Sequence, residues 1–253
     1  MTAICIAGIT GWTGSALADG VRAAEDLQLR AGVARSAAGD TVGGTPVFAT
    51  VQDALDGVDV VIDFTSHDVA KGNALTAIAA GVAVVIGTSG LTAADFGEID
   101  AAARERGVGV VAAGNFSLTA AMAQAAALLV APHLPHREVI DYASATKADV
   151  PSGTARELAE RLGGTPPARA LADTAGPIEA RGATVGGVQV HSVRLPSFVV
   201  STEVVFGLPD ERLTIRHDAG GTPAPYVAGT LLAARAVRDR VGLTRGLDRL
   251  LLG

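Results

Sequence analysis

The chain has 253 residues and a formal net charge of −6, with 20 Lys and Arg against 26 Asp and Glu, and a single cysteine. That length allows one large domain or two small ones with a sizeable core. The acidic balance, with no basic stripe, argues against nucleic-acid binding, and the lone Cys5 excludes a disulfide framework and fits a reducing cytoplasm.

Mean hydropathy is +0.37, but the apolar residues come in short blocks. The longest helical one, Leu118–Ala131, carries Gln124 and is too short to cross a bilayer. Met1 leads straight into an apolar run and a glycine turn, without a basic region or cleavage-type sequence. Neither a membrane span nor a signal peptide is expected.

Runs at Ala3–Ala7, Leu29–Ala34, Val58–Phe64, Val82–Ile86 and Val108–Ala112 are short, β-branched and apolar throughout. Such runs predict parallel strands covered on both faces. Helical patterns lie between them at Gly14–Ala24, Val69–Ala80 and Ala93–Arg106, while the Gly- and Thr-rich stretch Ser36–Ala49 reads as a loop. The β-α-β alternation predicts an α/β fold with a doubly wound, Rossmann-type parallel sheet.

The pattern changes after residue 115. An alanine-rich helix is expected at Leu118–Val130, ended by Pro132, then a strand at Arg137–Ser144 and a helix at Thr154–Leu162. Residues 168–185 look loop-like. Three runs that alternate or nearly so, Gly187–Leu195, Ser201–Gly207 and Arg212–Asp218, predict an antiparallel sheet with one face on helices or on another subunit. A helix at Pro225–Val241 and a Leu-rich end follow. The second part is thus an α+β arrangement with a mixed or antiparallel sheet.

Two stretches carry chemistry. Gly8-x-x-Gly11-x-x-Gly14 follows a strand and opens a helix. Glycines so placed allow a tight turn, close approach of a pyrophosphate and close helix–strand packing. Trp12 and Thr13 lie inside this turn; Trp12 shields a cofactor or simply packs. The second strand ends Val33-Ala34-Arg35-Ser36, with no carboxylate at its tip. Arg35 and Ser36 suit a ribose phosphate, so NADPH is expected to be preferred, with NADH also accepted. Phe64-Thr65, Gly87-Thr88-Ser89 and Asn115-Phe116 end three further strands. Doubly wound folds bind ligands at those carboxyl ends, so these residues are expected to face the cofactor.

The second stretch is Lys147-Ala-Asp-Val-Pro-Ser-Gly-Thr-Ala155. Helix-start N–H groups favour an anion, and the hydroxyls of Ser152 and Thr154 add donors around Gly153. Lys147 can add charge or a proton. This predicts a pocket for a small carboxylate and, with the glycine turn, a nucleotide-dependent reductase of a small acid. His133 and His136 flank prolines, but no cysteine or carboxylate cluster completes a metal site. A Tyr-x-x-x-Lys dehydrogenase is disfavoured because Tyr142 and Lys147 stand five apart. A thiolate mechanism is disfavoured because Cys5 lies inside a strand.

Taken together, these residues resemble the 4-hydroxy-tetrahydrodipicolinate reductase (dihydrodipicolinate reductase) family, over nearly the whole chain. The likeness rests on the N-terminal glycine turn, Asp63-Phe64-Thr65, Gly87-Thr88-Ser89-Gly90, Asn115-Phe116-Ser117 and above all Lys147-x-Asp149-x-Pro151-Ser152-Gly153-Thr154-Ala155. Gly187-x-x-x-His191-x-x-Arg194 and Ile215-x-His217-x-Ala219 look like the family's C-terminal sheet.

The resemblance implies NAD(P)H-dependent reduction of a cyclic imine-type dicarboxylate in lysine and diaminopimelate biosynthesis. Lys147 would be the acid or the carboxylate ligand, and Ser152, Gly153 and Thr154 would hold a carboxylate. It also implies a dinucleotide-binding domain of residues 1–116 and 222–253, a substrate and oligomerisation domain of 117–221, and a cytoplasmic homotetramer. The pattern departs from the family at its His-His pair, one assigned proton donation and the other substrate binding, which by register falls on Ala143 and Ser144. Of these two, only Ser144 can hydrogen-bond a substrate. Thr146 stands where histidine is common, the family's Gly-Glu-His reads Val200-Ser201-Thr202, and an expected arginine is missing from Gly220-Gly221-Thr222. Alternatives are a paralogue that reduces a different cyclic imino acid, or an NADPH-binding sensor without catalysis.

Overall fold

The computed structural model describes residues 1–165 and 175–252. The chain runs β1 (Thr2–Ala7), α1 (Trp12–Ala23), β2 (Leu27–Val33), β3 (Thr41–Val42), β4 (Thr45–Phe48), β5 (Val60–Asp63), α2 (His67–Ala79), β6 (Ala83–Ile86), α3 (Ala93–Arg106) and β7 (Gly109–Ala112). There follow α4 (Leu118–Val130), β8 (His136–Ala143), α5 (Gly153–Gly163), β9 (Ala183–Val185), β10 (Val188–Arg194), β11 (Val200–Leu208) and β12 (Glu211–Asp218). The end is α6 (Ala224–Ala236), β13 (Gly242–Arg245) and α7 (Asp248–Leu251). Two compact units result, one of residues 1–118 with 223–253 and one of residues 119–222.

The first unit is built on a sheet of strand order β13-β7-β6-β5-β1-β2-β4-β3. All its pairings are parallel except β3 with β4. One face buries Cys5, Ala7, Val84 and Val110 against Ala74 and Ile78 of α2 and Ile99 of α3. Alternation turns Ile4 and Ile6 the other way, towards the side of α1 and α6. Fully burying one such Ile or Val contributes roughly 1.5–3 kcal/mol, which is why short strands suffice here. Helix α3 begins where expected because Thr92 and Asp95 form a reciprocal capping box, and it stops at Gly107 with φ 70°.

The stretch Ser36–Ala49, expected as loop, contains the β3–β4 hairpin. Its turn residues Gly43 and Gly44 have φ of 56° and 78°, the two positive values that a tight primed turn requires. The final helix is shorter than expected. It ends at Ala236, a 3-10 turn spans Val237–Asp239, and Gly242 at φ 80° redirects the chain into β13 beside β7.

The second unit has a sheet of order β12-β11-β8-β10-β9. It is mixed: β8 pairs parallel with β10, while β11 runs antiparallel to both β8 and β12. Val139, Val190, Val204 and Phe206 face α4 and α5, packing on Ala127, Leu158 and Leu162. The opposite face presents Glu138, Tyr142, His191, Glu203 and Arg216, joined in two ion-pair groups. Buried Arg137 donates to the carbonyls of Ala131 (3.0 Å) and Leu162 (2.8 Å), satisfying chain just past α4 and near the end of α5. Of the loop expected over 168–185, residues 168–174 lie outside the described residues, and β9 falls within the rest.

Candidate functional site

The glycine turn of the first unit is assembled by backbone contacts. Gly8 adopts φ 87°, and its N–H donates to the Val33 carbonyl at 2.8 Å; the Gly11 N–H donates to the Gly8 carbonyl at 2.9 Å. A methyl group at Gly14 would run into that same Gly8 carbonyl, and one at Gly8 would run into the Phe64 carbonyl. The start of α1 has no side-chain cap and no acidic residue in its first turn. Its donors therefore suit an anion, and the residues present fit a dinucleotide pyrophosphate. Trp12 is 53% exposed and meets Tyr226 edge-on, ring centroids 6.2 Å apart; Thr13 follows it half-buried at the helix start, and Arg35 and Ser36 are exposed beyond the tip of β2.

The neighbouring strand ends are tied together by one buried carboxylate. Asp63 Oδ1 accepts from the Thr65 N–H (3.0 Å), the Thr65 hydroxyl (2.7 Å) and the Thr88 hydroxyl (2.6 Å), and Oδ2 accepts from Asn73 (2.8 Å). Phe64, Thr65, Gly87 and Thr88 are thereby brought together with Gly8, and Ser89 lies exposed just beyond. Asn115 is buried, its Oδ1 accepting from the Ser117 N–H at 2.8 Å. Phe116 is buried too, its ring 5.8 Å from that of Phe64, so any contact it makes with a ligand is through its backbone. Burial, with the Asp63 charge adding, pushes the Cys5 thiol up to about 12, which leaves no thiolate nucleophile at neutral pH.

In the second unit the lysine loop is pinned from beneath by Asp141. This fully buried carboxylate accepts from the Ser152 hydroxyl (2.6 Å), the Ser152 N–H (2.9 Å), the Ser192 hydroxyl (3.1 Å) and Arg194 Nη2 (2.8 Å). Arg194 Nη2 also donates to the Asp149 carbonyl at 2.7 Å. Ser152 caps α5 by accepting from the Ala155 N–H at 3.3 Å. Its own donors are thus committed to Asp141, and Gly153 and Thr154 form the first turn above it.

Lys147 is half-buried, with its Nζ 2.8 Å from Asp149 Oδ1. Its N–H donates to the Ser144 carbonyl at 3.0 Å, and the Ser144 and Thr146 hydroxyls lie 3.0 Å apart. Ala143 is buried and non-titratable. Among the described residues no three His, Cys, Asp or Glu side chains gather as a metal site.

Asp141 and Arg194 were not among the predicted site residues. A signal existed: positions 137, 139, 141 and 143 of β8 all point inward, and a carboxylate in such a row needs built partners.

Two family models match the chain: "Dihydrodipicolinate reductase, N-terminus" over residues 2–116 and "Dihydrodipicolinate reductase, C-terminus" over residues 114–251. The chain belongs to the dihydrodipicolinate reductase family. It is 40% identical to the 4-hydroxy-tetrahydrodipicolinate reductase of Beutenbergia cavernae, over 97% of this chain and 96% of that protein. It is 37% identical to the enzyme of that name from Synechococcus elongatus, over 98% of both. Among solved structures, the dipicolinate-bound dihydrodipicolinate reductase from Paenisporosarcina sp. TG-14 aligns with a TM-score of 0.80 and 25% identity, covering 98% of this chain and 99% of that one. GenD2 from gentamicin A biosynthesis, in complex with NAD, aligns with a TM-score of 0.67 at 19% identity, over 99% of this chain and 90% of that one, and shares the fold.

Proposed function

We propose that this chain is a 4-hydroxy-tetrahydrodipicolinate reductase, reducing a cyclic imine-type dicarboxylate of lysine and diaminopimelate biosynthesis. The observation that carries this reading is the lysine loop: an ammonium held half-buried by Asp149, next in sequence to a helix start that Asp141 fixes through Ser152. Family membership over both halves supports the reaction class.

The nicotinamide cofactor, when bound, supplies the hydride. The turn at Gly8, Gly11 and Gly14 would hold its pyrophosphate, with Trp12 over it and Thr13 beside it. Thr65, Thr88, Ser89 and the backbone of Phe64, Gly87, Asn115 and Phe116 would border its nicotinamide half. Arg35 and Ser36, exposed and with no acidic residue at the strand tip, favour NADPH over NADH through the 2′-phosphate.

Lys147 binds the substrate carboxylate or delivers the proton that completes reduction. Asp149 holds its amine in place. The amides of Gly153 and Thr154, at the positive end of the α5 dipole, hold a carboxylate; Ser152 acts by positioning that turn, and Ser144 adds a hydroxyl. A cytoplasmic homo-oligomer, a tetramer by family likeness, is part of the same proposal.

A second reading is supported by Ala143, which has no proton to give where the family has histidine: reduction of a different cyclic imino acid by the same lysine. NADPH oxidation by the purified chain separates the two. Turnover with the lysine-pathway intermediate supports the first. Its absence, with turnover of another cyclic imino acid, supports the second.

A further inference from the structure

A polar row crosses the helix-facing side of the five-stranded sheet. Asp141 on β8 is the cross-strand neighbour of Thr202 on β11, and Thr202 is that of His217 on β12. Asp141 has its partners. Thr202 does not: its buried hydroxyl makes no hydrogen bond among the described residues, and neither does the buried Nε2 of Gln124 on α4. Each of these residues is only 6% exposed. Both line one cavity, together with His217, Thr154, Ala123 and Leu158.

Buried polar atoms are nearly always paired, so two unpaired donors in one cavity point to an occupant that supplies the acceptor. Apart from His217 and Thr154 the remaining walls are alkyl, and the cavity, about 10 Å³ in volume, has room for a single oxygen atom. Thr154 connects the cavity to the first turn of α5.

We propose that this cavity is a side pocket of the substrate site, in which Gln124 and Thr202 donate to a carboxylate oxygen of the cyclic substrate. That carboxylate is distinct from the one held at the start of α5. The proposal rests on the reductase reading, since its occupant is part of that substrate. Gln124 and Thr202 then act as specificity residues: they reject a ring that lacks the second carboxylate, because the two donors would stay unpaired. A resident water offers the same oxygen chemistry, so the test must separate it from the ligand.

The test compares binding of pyridine-2,6-dicarboxylate with that of pyridine-2-carboxylate to the NADPH-loaded protein by calorimetry. Wild type is expected to prefer the dicarboxylate by at least about tenfold. Thr202→Val and Gln124→Leu are each expected to erase most of that preference, with NADPH affinity unchanged, whereas Thr202→Ser, which keeps the hydroxyl, should retain it. An undiminished preference in the first two variants, or equal weakening of both probes, would mean that a water fills the pocket and overturns the proposal; so would failure of wild type to discriminate. Turnover of the lysine-pathway intermediate is measured separately, so a failed reductase reading is not confused with a failed pocket.

Discussion

Lys147 reaches its place through three residues, Ser144, Asp149 and Arg194. The Ser144 carbonyl takes its N–H, Asp149 takes its ammonium, and Arg194 holds the Asp149 carbonyl. Lys147→Ala is expected to lower kcat by about 10²–10⁴-fold, the usual worth of a positioned acid, while leaving NADPH affinity intact; stopped-flow turnover and a fluorescence titration check both. Asp141→Asn removes the charge opposite Arg194 inside the unit. Breaking one partner of a buried pair costs about 3–5 kcal/mol, which urea denaturation would register as a lower midpoint; an unchanged midpoint would remove Asp141 from its positioning role. The lysine-to-threonine motif was readable in the sequence because its residues are contiguous. The Asp141 cluster was not, since Ser152, Ser192 and Arg194 lie 11, 51 and 53 residues away and meet it only after folding.

At the scale of elements, the β-α-β pattern and the break at Pro132 reproduced α3 and α4 to the residue, and most strands to within two. The β3–β4 hairpin was missed although its Gly43-Gly44 turn is visible in the sequence, because its strands are too short for periodicity to register. The parallel pairing of β8 with β10 could not be read from alternation, which is the same for either direction. The glycine turn is the element whose function depends most on the absence of a side chain. Gly14→Ala puts a methyl group on the Gly8 carbonyl, and overpacking of that kind costs roughly 1–3 kcal/mol. Both thermal stability and NADPH affinity are expected to fall; loss of neither would mean that the turn relaxes freely. At the adjacent strand tip, Arg35→Ala is expected to reduce the NADPH to NADH preference at least about tenfold, read as the ratio of kcat/KM, and an unchanged ratio would locate the 2′-phosphate elsewhere.

Across the whole molecule, acid should act in two stages. Burial pushes the His217 imidazole below its ordinary 6.5, against the pull of Asp218. The unfolded chain therefore takes up that proton first, and stability present above 6.5 is lost as pH falls through the lower folded value. Burial raises the Glu138 carboxyl, but Arg181 and His191 outweigh it and leave it below the ordinary 4.5. Its contribution is present above 4.5 and is lost at lower pH. Melting temperature against pH is expected to show an upper limb that His217→Asn flattens and a lower limb that remains; an unaltered upper limb would assign it to another group.

The proposed reductase activity is put to its sharpest trial by mixing purified protein, NADPH and the cyclic intermediate of lysine biosynthesis and recording absorbance at the nicotinamide band. It predicts oxidation of the cofactor that depends on the intermediate and collapses in Lys147→Ala. Oxidation that proceeds equally well without that amine, or no oxidation by a wild-type protein that binds NADPH, would contradict it.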